Sequence, residues 1–321
     1  MNARRVRIFD GFALFTLAYT MLVILWGAWV RITGSGAGCG QHWPTCHGEI
    51  IPTAPSMETF IEFFHRVTSG LAVLVVIALL VLAVKTFPKG HLARRGAWLT
   101  FIFILIECLI GAALVVFALV GDNDSATRAI LMAIHLVNTS LLTGVMLLAV
   151  WWARRNIPLG WSLDTRLGLH LAISMGVLML INASGAVTAL GDTLYPIRVE
   201  PGTGLIERLD VATLSTRNFL IQMRIWHPFI AVAGGIWLIV HAAMAALGAR
   251  RDRAVRIWAG WVAGLVAVQL VCGVVNILLG APGWMQILHL FLAKGVWLAW
   301  VWFGLHALRH AQGYALDEEG A

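Results

Sequence analysis

HRVTSGLAVLVVIALLVLAVK, residues 65–85, decides the fold class, because no charged side chain lies between Arg66 and Lys85. A helix that crosses the hydrocarbon core of a bilayer requires roughly 20 mostly apolar residues. Seven further runs meet this requirement, at 11–31, 97–120, 129–152, 167–190, 226–248, 256–279 and 286–307. We therefore predict an all-α integral membrane protein with eight transmembrane helices.

The composition excludes a soluble globular enzyme. Of the 321 residues, 60% are apolar and 12% are charged, whereas roughly 25% of the residues of a typical soluble domain are charged. The formal net charge of +7 is compatible with nucleic-acid binding, but the basic residues form short clusters beside apolar runs. We interpret these clusters as topology signals, and we expect membrane lipid and no nucleic acid around the protein.

The distribution of basic residues predicts the orientation in the membrane. Of the 23 Lys and Arg residues, 15 fall on one side of the predicted spans, and the positive-inside rule assigns that side to the cytoplasm. Both termini are then cytoplasmic, and the segments 32–64, 121–128, 191–225 and 280–285 face outward. We expect a multi-pass protein of the cell membrane. The 15 residues are Arg4, Arg5, Arg7, Lys85, Lys89, Arg94, Arg95, Arg154, Arg155, Arg166, Arg250, Arg251, Arg253, Arg256 and Arg309.

The two halves of the chain repeat the same pattern. A near-constant offset relates His65 to His227 (162 residues), Gly111 to Gly273 (162), His135 to His289 (154) and Gly27 to Gly185 (158). Each half holds four spans, an even number, so the two copies share one orientation and are related by an axis along the membrane normal. We predict two pseudo-symmetric parallel four-helix bundles, residues 1–155 and 156–321.

Four histidines occupy corresponding outer positions in these bundles. His65 and His227 lie at the outer ends of helices two and six, and His135 and His289 lie in the outer parts of helices four and eight. Two imidazoles on facing helices at similar depth match the axial ligand set of a six-coordinate heme iron. This pattern predicts one heme in each half. The alternative is that each histidine only forms a hydrogen bond to a neighbouring backbone or hydroxyl group.

Charged residues near these histidines differ between the halves. Glu62 precedes His65 by three residues, and Arg224 takes the same position before His227. A carboxylate beside a heme can accept protons during oxidation, whereas a guanidinium suits a heme propionate. The first heme is therefore predicted to be the one that is chemically changed, with Arg31 and Arg66 as further propionate ligands. Ordinary interfacial charge is the alternative for all four residues.

Two further features remain to be assigned. Cys39 and Cys46 lie in a turn-rich outer segment on the oxidising side, where a disulfide is expected. The bond is either a structural staple or a redox-active pair. Glu107 and Lys294 lie inside predicted spans, where charged residues normally face the protein interior and find partners.

These residues resemble the heme A synthase family of membrane proteins. The resemblance covers the whole chain, and the members with a cysteine pair in the first outer loop, the bacterial type, are the most similar. The matching features are the segment GAWVRITGSG (27–36), the Cys39/Cys46 loop with Trp43-Pro44, Gly48 and Pro52, the Glu62-x-x-His65-Arg66 motif, His135, His227 and His289.

The resemblance implies an enzyme that oxidises the C8 methyl group of heme O to the formyl group of heme A for cytochrome oxidase. It implies that His65 and His135 flank the substrate heme, with Glu62 as the nearby acid or base. It also implies that His227 and His289 ligate a heme b cofactor. Heme O synthase and cytochrome oxidase assembly factors are then the expected partners, and homo-oligomerisation stays open.

Two other functions use parts of the same pattern. A di-heme b electron carrier linked to quinol would also need four helix histidines, but it gives no reason for Glu62 to differ from Arg224. A transporter with two parallel repeats would use Glu107 and Lys294 in a substrate path, and it leaves the four histidines without a purpose.

Overall fold

The computed structural model describes residues 2–158, 165–196 and 218–314. Within these ranges, eight helices are long and apolar enough to cross a membrane, which confirms the predicted all-helical membrane protein. A short 3-10 helix at Ser35–Ala37 follows the first of them. The eight are α1 (Ala3–Ile32), α2 (Met57–Thr86), α3 (Leu92–Val116), α4 (Ala126–Arg155), α5 (Arg166–Leu194), α6 (Phe219–Gly248), α7 (Arg253–Leu278) and α8 (Gly283–Ala311).

Most helices extend beyond the apolar runs from which they were predicted, because backbone hydrogen bonding continues into polar sequence. Helix α6 begins at Phe219 rather than at 226. The Asn218 side chain caps this start by accepting the Leu220 N–H at 3.0 Å. Similarly, α5 continues to Leu194, so the predicted outward segment 191–225 begins and ends in helix. The central part of that segment lies outside the described residues.

One predicted boundary was wrong in the other direction. The apolar run 97–120 predicts a helix to residue 120, but α3 ends at Val116. Ala118 has a φ of 52°, in the left-handed region, which turns the chain out of the helix. The Leu119 N–H then donates to the Leu114 carbonyl at 2.8 Å. Hydrophobicity alone did not reveal this turn, because residues 117–120 are all apolar.

The helices pack in the same order in both halves. In the first half, α1 contacts α2 and α4, and α3 contacts α2 and α4. In the second half, α5 contacts α6 and α8, and α7 contacts α6 and α8. This pattern is the one that a duplicated four-helix bundle would give, and the duplication itself stays a prediction. Helices α1 and α4 of the first half pack against α5 and α8 of the second.

Polar contacts identify the two ends of the bundle. At the end that carries the start of α1 and the end of α8, which we call the termini end, Arg154 of α4 bonds to Asp10 of α1 at 2.8 and 2.9 Å. At the opposite end, which we call the disulfide end, the loop between α1 and α2 contains the Cys39–Cys46 bond. All four predicted histidines lie nearer the disulfide end along their helices.

Candidate functional site

A cavity of about 540 Å³ extends through both halves of the bundle. Every one of the eight long helices contributes to its wall, and most of the lining is apolar. The four predicted histidines, His65, His135, His227 and His289, all line this cavity. The structure therefore brings together the side chains that the sequence pattern singled out.

One histidine in each half lies against a glycine of the preceding helix. A Cβ atom on Gly27 of α1 would lie 2.9 Å from Cε1 of His65, and one on Gly185 of α5 would lie 3.1 Å from Cε1 of His227. Carbon atoms in good contact are about 3.5–4.0 Å apart, so any larger residue would displace the imidazole. The two glycines thus provide the space that the rings occupy.

The other histidine of the first half contacts a carboxylate. Nδ1 of His135, on α4, lies 3.0 Å from Oε1 of Glu107 on α3. The Asn138 side chain donates from Nδ2 to Oε2 of Glu107 at 2.6 Å and to the Phe103 carbonyl at 3.1 Å. Glu107 is therefore held between its own helix and the next one, with one oxygen directed to the histidine.

The corresponding histidine of the second half has a neutral neighbour. Nε2 of Gln269, on α7, lies 3.2 Å from Nε2 of His289 on α8. Nδ1 of His289 is buried and makes no hydrogen bond. A Cβ atom on Gly273 would lie 3.2 Å from Cε1 of this ring.

Glu62 is buried beside the cavity and is bound to the outer loop. Its side chain belongs to the second turn of α2, and the residue is 3% exposed. Oε2 accepts the Cys39 N–H at 2.8 Å, and Oε1 accepts Nε of Arg66 at 3.0 Å. Nη1 of Arg66 also donates to the Thr45 carbonyl at 2.6 Å. Arg66 therefore joins Glu62 to the disulfide loop, and its predicted role toward a propionate stays a prediction.

The disulfide itself is confirmed. Cys39 and Cys46 are bonded, with their Cα atoms 4.5 Å apart, and both residues are fully buried. The bond lies directly above Glu62, because the N–H of Cys39 is the donor to that carboxylate. Whether the pair serves as a staple or in electron transfer stays open.

Two other predicted cations bind protein groups beside the cavity. Nε of Arg224 donates to Oδ1 of Asp192 at 2.7 Å, which connects α6 to α5. Arg31 reaches from the first half into the second, donating from Nη2 to Oε1 of Gln286 at 2.9 Å and from Nη1 to Oγ1 of Thr193 at 2.5 Å. Both arginines line the cavity, and their propionate roles stay predictions.

Sequence reasoning did not assign Glu107, Gln269 or Arg128. Arg128 lines the cavity and donates to the carbonyls of Gly121 and Asn123 at 2.6 and 2.7 Å. A signal existed for the first two, since Glu107 and Gln269 are 162 residues apart, the same offset that relates His65 to His227. Arg128 carried no such signal, because an arginine in a first helical turn resembles an ordinary interfacial charge.

Lys294 links the two halves instead of pairing with a carboxylate. Its side chain is fully buried, and Nζ donates to Oγ of Ser140 at 2.7 Å and to Oγ1 of Thr139 at 2.9 Å. Ser140 and Lys294 are 154 residues apart, the offset that relates His135 to His289.

The donor set fits heme iron better than a metal bound by protein alone. No group of three His, Cys, Asp or Glu within the described ranges could hold a metal ion. Each half instead supplies two imidazoles that lie within electrostatic range of each other. Nδ1 of His65, His135 and His289 is buried without a hydrogen-bond partner. Two imidazoles complete an iron whose other four ligands are porphyrin nitrogens.

The fold and the site therefore define a multi-pass membrane protein with two histidine pairs around a shared apolar cavity. Residues 10–301 match the COX15-CtaA family, described as "Cytochrome oxidase assembly protein". The chain belongs to this family. Its resemblance to the heme A synthase family is thereby confirmed.

The similar proteins carry two different names. A Bacillus cereus "Heme A synthase" is 29% identical over 298 residues, which is 88% of either chain. An Exiguobacterium sibiricum "Heme A synthase" is 45% identical over 113 residues, 35% of this chain and 37% of the relative. A Thermus thermophilus "Protoheme IX farnesyltransferase" is 45% identical over 311 residues, 97% of this chain and 50% of the relative. This chain thus spans about half the length of the Thermus protein.

Proposed function

We propose that the protein is a heme A synthase, an oxidoreductase that converts the C8 methyl group of heme O to a formyl group. The observation that carries this proposal is the shared cavity, where each half places two histidines and where Glu62, at the position that Arg224 takes in the second half, is a buried carboxylate. The name of the Bacillus relative supports it. As a half-reaction with water as the oxygen source, the methyl group and one water molecule become a formyl group, four protons and four electrons, and the electrons pass to an oxidant outside this chain.

The residues of each half have distinct roles in this proposal. His65 and His135 bind the substrate heme, and Glu62 accepts protons released as the methyl carbon is oxidised. Arg66 and the Cys39 N–H fix the position of that carboxylate. His227 and His289 hold heme b, which supplies one-electron redox chemistry when bound.

Arginines at the disulfide end meet the propionates in this arrangement. Arg31 and Arg224 line the cavity at this end, where a guanidinium can bind a carboxylate in bidentate geometry. The apolar remainder of the wall suits the porphyrin faces and the hydrocarbon tail of heme O. A soluble substrate would not need such a lining.

The name of the Thermus relative describes a different reaction, prenyl transfer. This chain matches about half of the length of the Thermus protein, and we assign farnesylation to the other half of that protein. A heme O synthase is then the natural neighbour of this protein, because it makes the proposed substrate within the same membrane.

The basic clusters at the termini end support a location in the cell membrane with the disulfide end outward. An outward position also suits the disulfide, because such bonds persist in oxidising surroundings. The histidine pairs would then act near the outer leaflet. A cysteine-accessibility assay with an impermeant thiol reagent tests this orientation on variants with one cysteine placed in either end.

Extraction and mass analysis of the bound hemes tests the function. The protein is purified in detergent after co-expression with and without a source of heme O. Heme b together with heme O, its hydroxylated form or heme A supports the proposal. Heme b alone under both conditions supports the di-heme electron carrier, and the absence of heme supports the transporter.

A variant pair then tests Glu62. We expect Glu62→Gln to retain both hemes while formation of heme A falls by about 10²-fold or more, the usual contribution of a general acid or base. Glu58→Gln is the matched control, because Glu58 lies one turn earlier on α2, is exposed and bonds only to Ser56. A full yield of heme A from Glu62→Gln would remove Glu62 from the mechanism.

A further inference from the structure

Glu107 is a carboxylate of the cavity wall that the proposed mechanism does not use. It lies within the membrane-spanning part of α3, and Oε1 is 3.0 Å from Nδ1 of His135. Asn138, which is 5% exposed, binds the other oxygen at 2.6 Å and prevents Glu107 from rotating away. An intramembrane carboxylate is costly unless it serves a partner, and here the partner is a histidine of the cavity.

The charge of Glu107 has a counterpart across the interface between the halves. Lys294 of α8 is fully buried and lies within electrostatic range of both Glu107 and His135. Its hydrogen bonds go to Thr139 and Ser140, one turn from His135 on α4. The cation compensates the carboxylate without occupying the oxygen that contacts His135.

The second half has the same histidine without the carboxylate. Gln269 stands 162 residues after Glu107, and its amide contacts Nε2 of His289 at 3.2 Å. Nδ1 of neither His135 nor His289 meets the geometry of a hydrogen bond, but among the described residues only Nδ1 of His135 has a carboxylate oxygen beside it, at 3.0 Å. The two histidines therefore have different electrostatic surroundings at equivalent places.

A carboxylate at the second nitrogen of a metal-binding histidine fixes the ring and increases its basicity. Because Glu107 engages Nδ1, Nε2 is the nitrogen of His135 left to bind iron. A more basic imidazole donates more electron density and stabilises the ferric state, which lowers the reduction potential. A neutral amide in the second half does not have this effect.

We propose that Glu107 is a positioning residue that holds His135 through Nδ1 and makes it a stronger axial donor than His289. This inference rests on the proposed function, since it assumes a heme between His65 and His135. It assigns the two hemes different reduction potentials, with the lower one in the half where the substrate is oxidised. The ease of removing electrons there is thus set by a residue on α3 that does not touch the substrate.

The test compares Glu107→Gln with the wild-type protein in a spectroelectrochemical titration of the purified holoprotein. We expect the potential of the first-half heme to rise and its ferric EPR signal to shift, with the second-half heme unchanged. Glu62→Gln is the matched control, because it makes the same chemical change in the same half at a carboxylate that contacts no histidine in the structure. Its effect on the first-half potential should be smaller.

Several outcomes decide between this role and a purely structural one. Selective loss of the first-half heme from Glu107→Gln, with the other heme retained, also supports positioning. An unchanged first-half potential, or an equal shift of both hemes, overturns the inference. If Glu107→Gln does not accumulate, the same titration is made on Asn138→Leu. This variant removes the hydrogen bond that holds Glu107 and leaves the charge of Glu107 in place. A rise in the first-half potential supports the inference, and no change overturns it.

Different outcomes would overturn the proposed function and this inference. If the wild-type protein has no heme, or if none of its heme is lost on His135→Ala, both the proposed function and this inference are overturned. A wild-type protein that has this heme, with a potential insensitive to Glu107, overturns only the inference.

Discussion

Replacing Gly27 by alanine should displace one heme ligand and leave the fold intact. The new methyl group would lie 2.9 Å from Cε1 and 3.1 Å from Nε2 of His65, whereas carbon atoms pack at about 3.5 Å or more. The ring must therefore retreat by about 0.6 Å. Metal–ligand distances tolerate about 0.2 Å, so the bond to iron cannot absorb this movement unless the heme moves too.

The energy of this clash can be bounded. Inserting a methyl group into a packed site costs about 1–3 kcal/mol, which corresponds to a roughly 5- to 150-fold loss in heme affinity. Alanine also stabilises a helix by up to about 1 kcal/mol relative to glycine, so the thermal stability of the heme-free protein should hardly fall. The expected signature is weak heme retention in the first half with normal folding.

The assay measures heme content and the ferric EPR spectrum of purified Gly27→Ala, together with its thermal unfolding. Gly70→Ala is the control, because a methyl group there meets no atom within 4 Å and the residue lies on the same helix as His65. The control should retain both hemes. A Gly27→Ala protein with full heme content and an unchanged spectrum would refute the assignment of His65 as a ligand.

Two further predictions concern stability. The Cys39→Ser/Cys46→Ser double variant should lose about 2.5 kcal/mol of unfolding free energy, the chain-entropy value for an eight-residue loop, and an unchanged melting temperature in detergent would contradict this. Asp252 caps α7 through the Val255 N–H at 3.1 Å and also binds Arg309. Burial raises the pKa of its carboxyl, but these bonds and the nearby His310 outweigh that and hold the pKa below its usual value. Its contribution is therefore full above the unfolded-state pKa of about 4 and is lost as the pH falls through the lower folded value. Asp252→Asn should flatten this part of the melting-temperature profile against pH, and an unchanged profile would exclude the residue as its source.

The features that sequence predicts well are those that depend on one chain segment at a time. Each of the eight spans follows from its own apolar run, and the cysteine pair follows from a short outer loop. The end of α3 was misplaced because a left-handed Ala118 turns the chain within residues 117–120, which are apolar and include no glycine or proline. Helix ends of this kind are set by backbone conformation, which composition does not encode.

The site was predictable only as far as the predicted duplication extends. The offset between the halves selected all four histidines of the cavity, because equivalent positions in two similar bundles lie at equivalent depths. It did not reveal that Arg31 reaches Gln286 or that Lys294 reaches Ser140. Those bonds cross between the halves, and the angle at which one bundle packs on the other is absent from either repeat.

The same offset, applied to residues other than histidine, shows where the two halves diverge. Arg224 stands at the position of Glu62 and Gln269 at the position of Glu107, and the second half has its own cavity carboxylate, Asp192, which is bonded to Arg224. The two glutamates belong to the first half. In the structure they contact different partners, Glu62 the disulfide loop and Glu107 the ring of His135. Asp192 is bonded to Arg224, so among the described residues only the first half directs a carboxylate oxygen to a histidine of the cavity. A bundle that only carried electrons would not need this difference between its two histidine pairs, whereas a division into a reacting site and an electron-transfer site would.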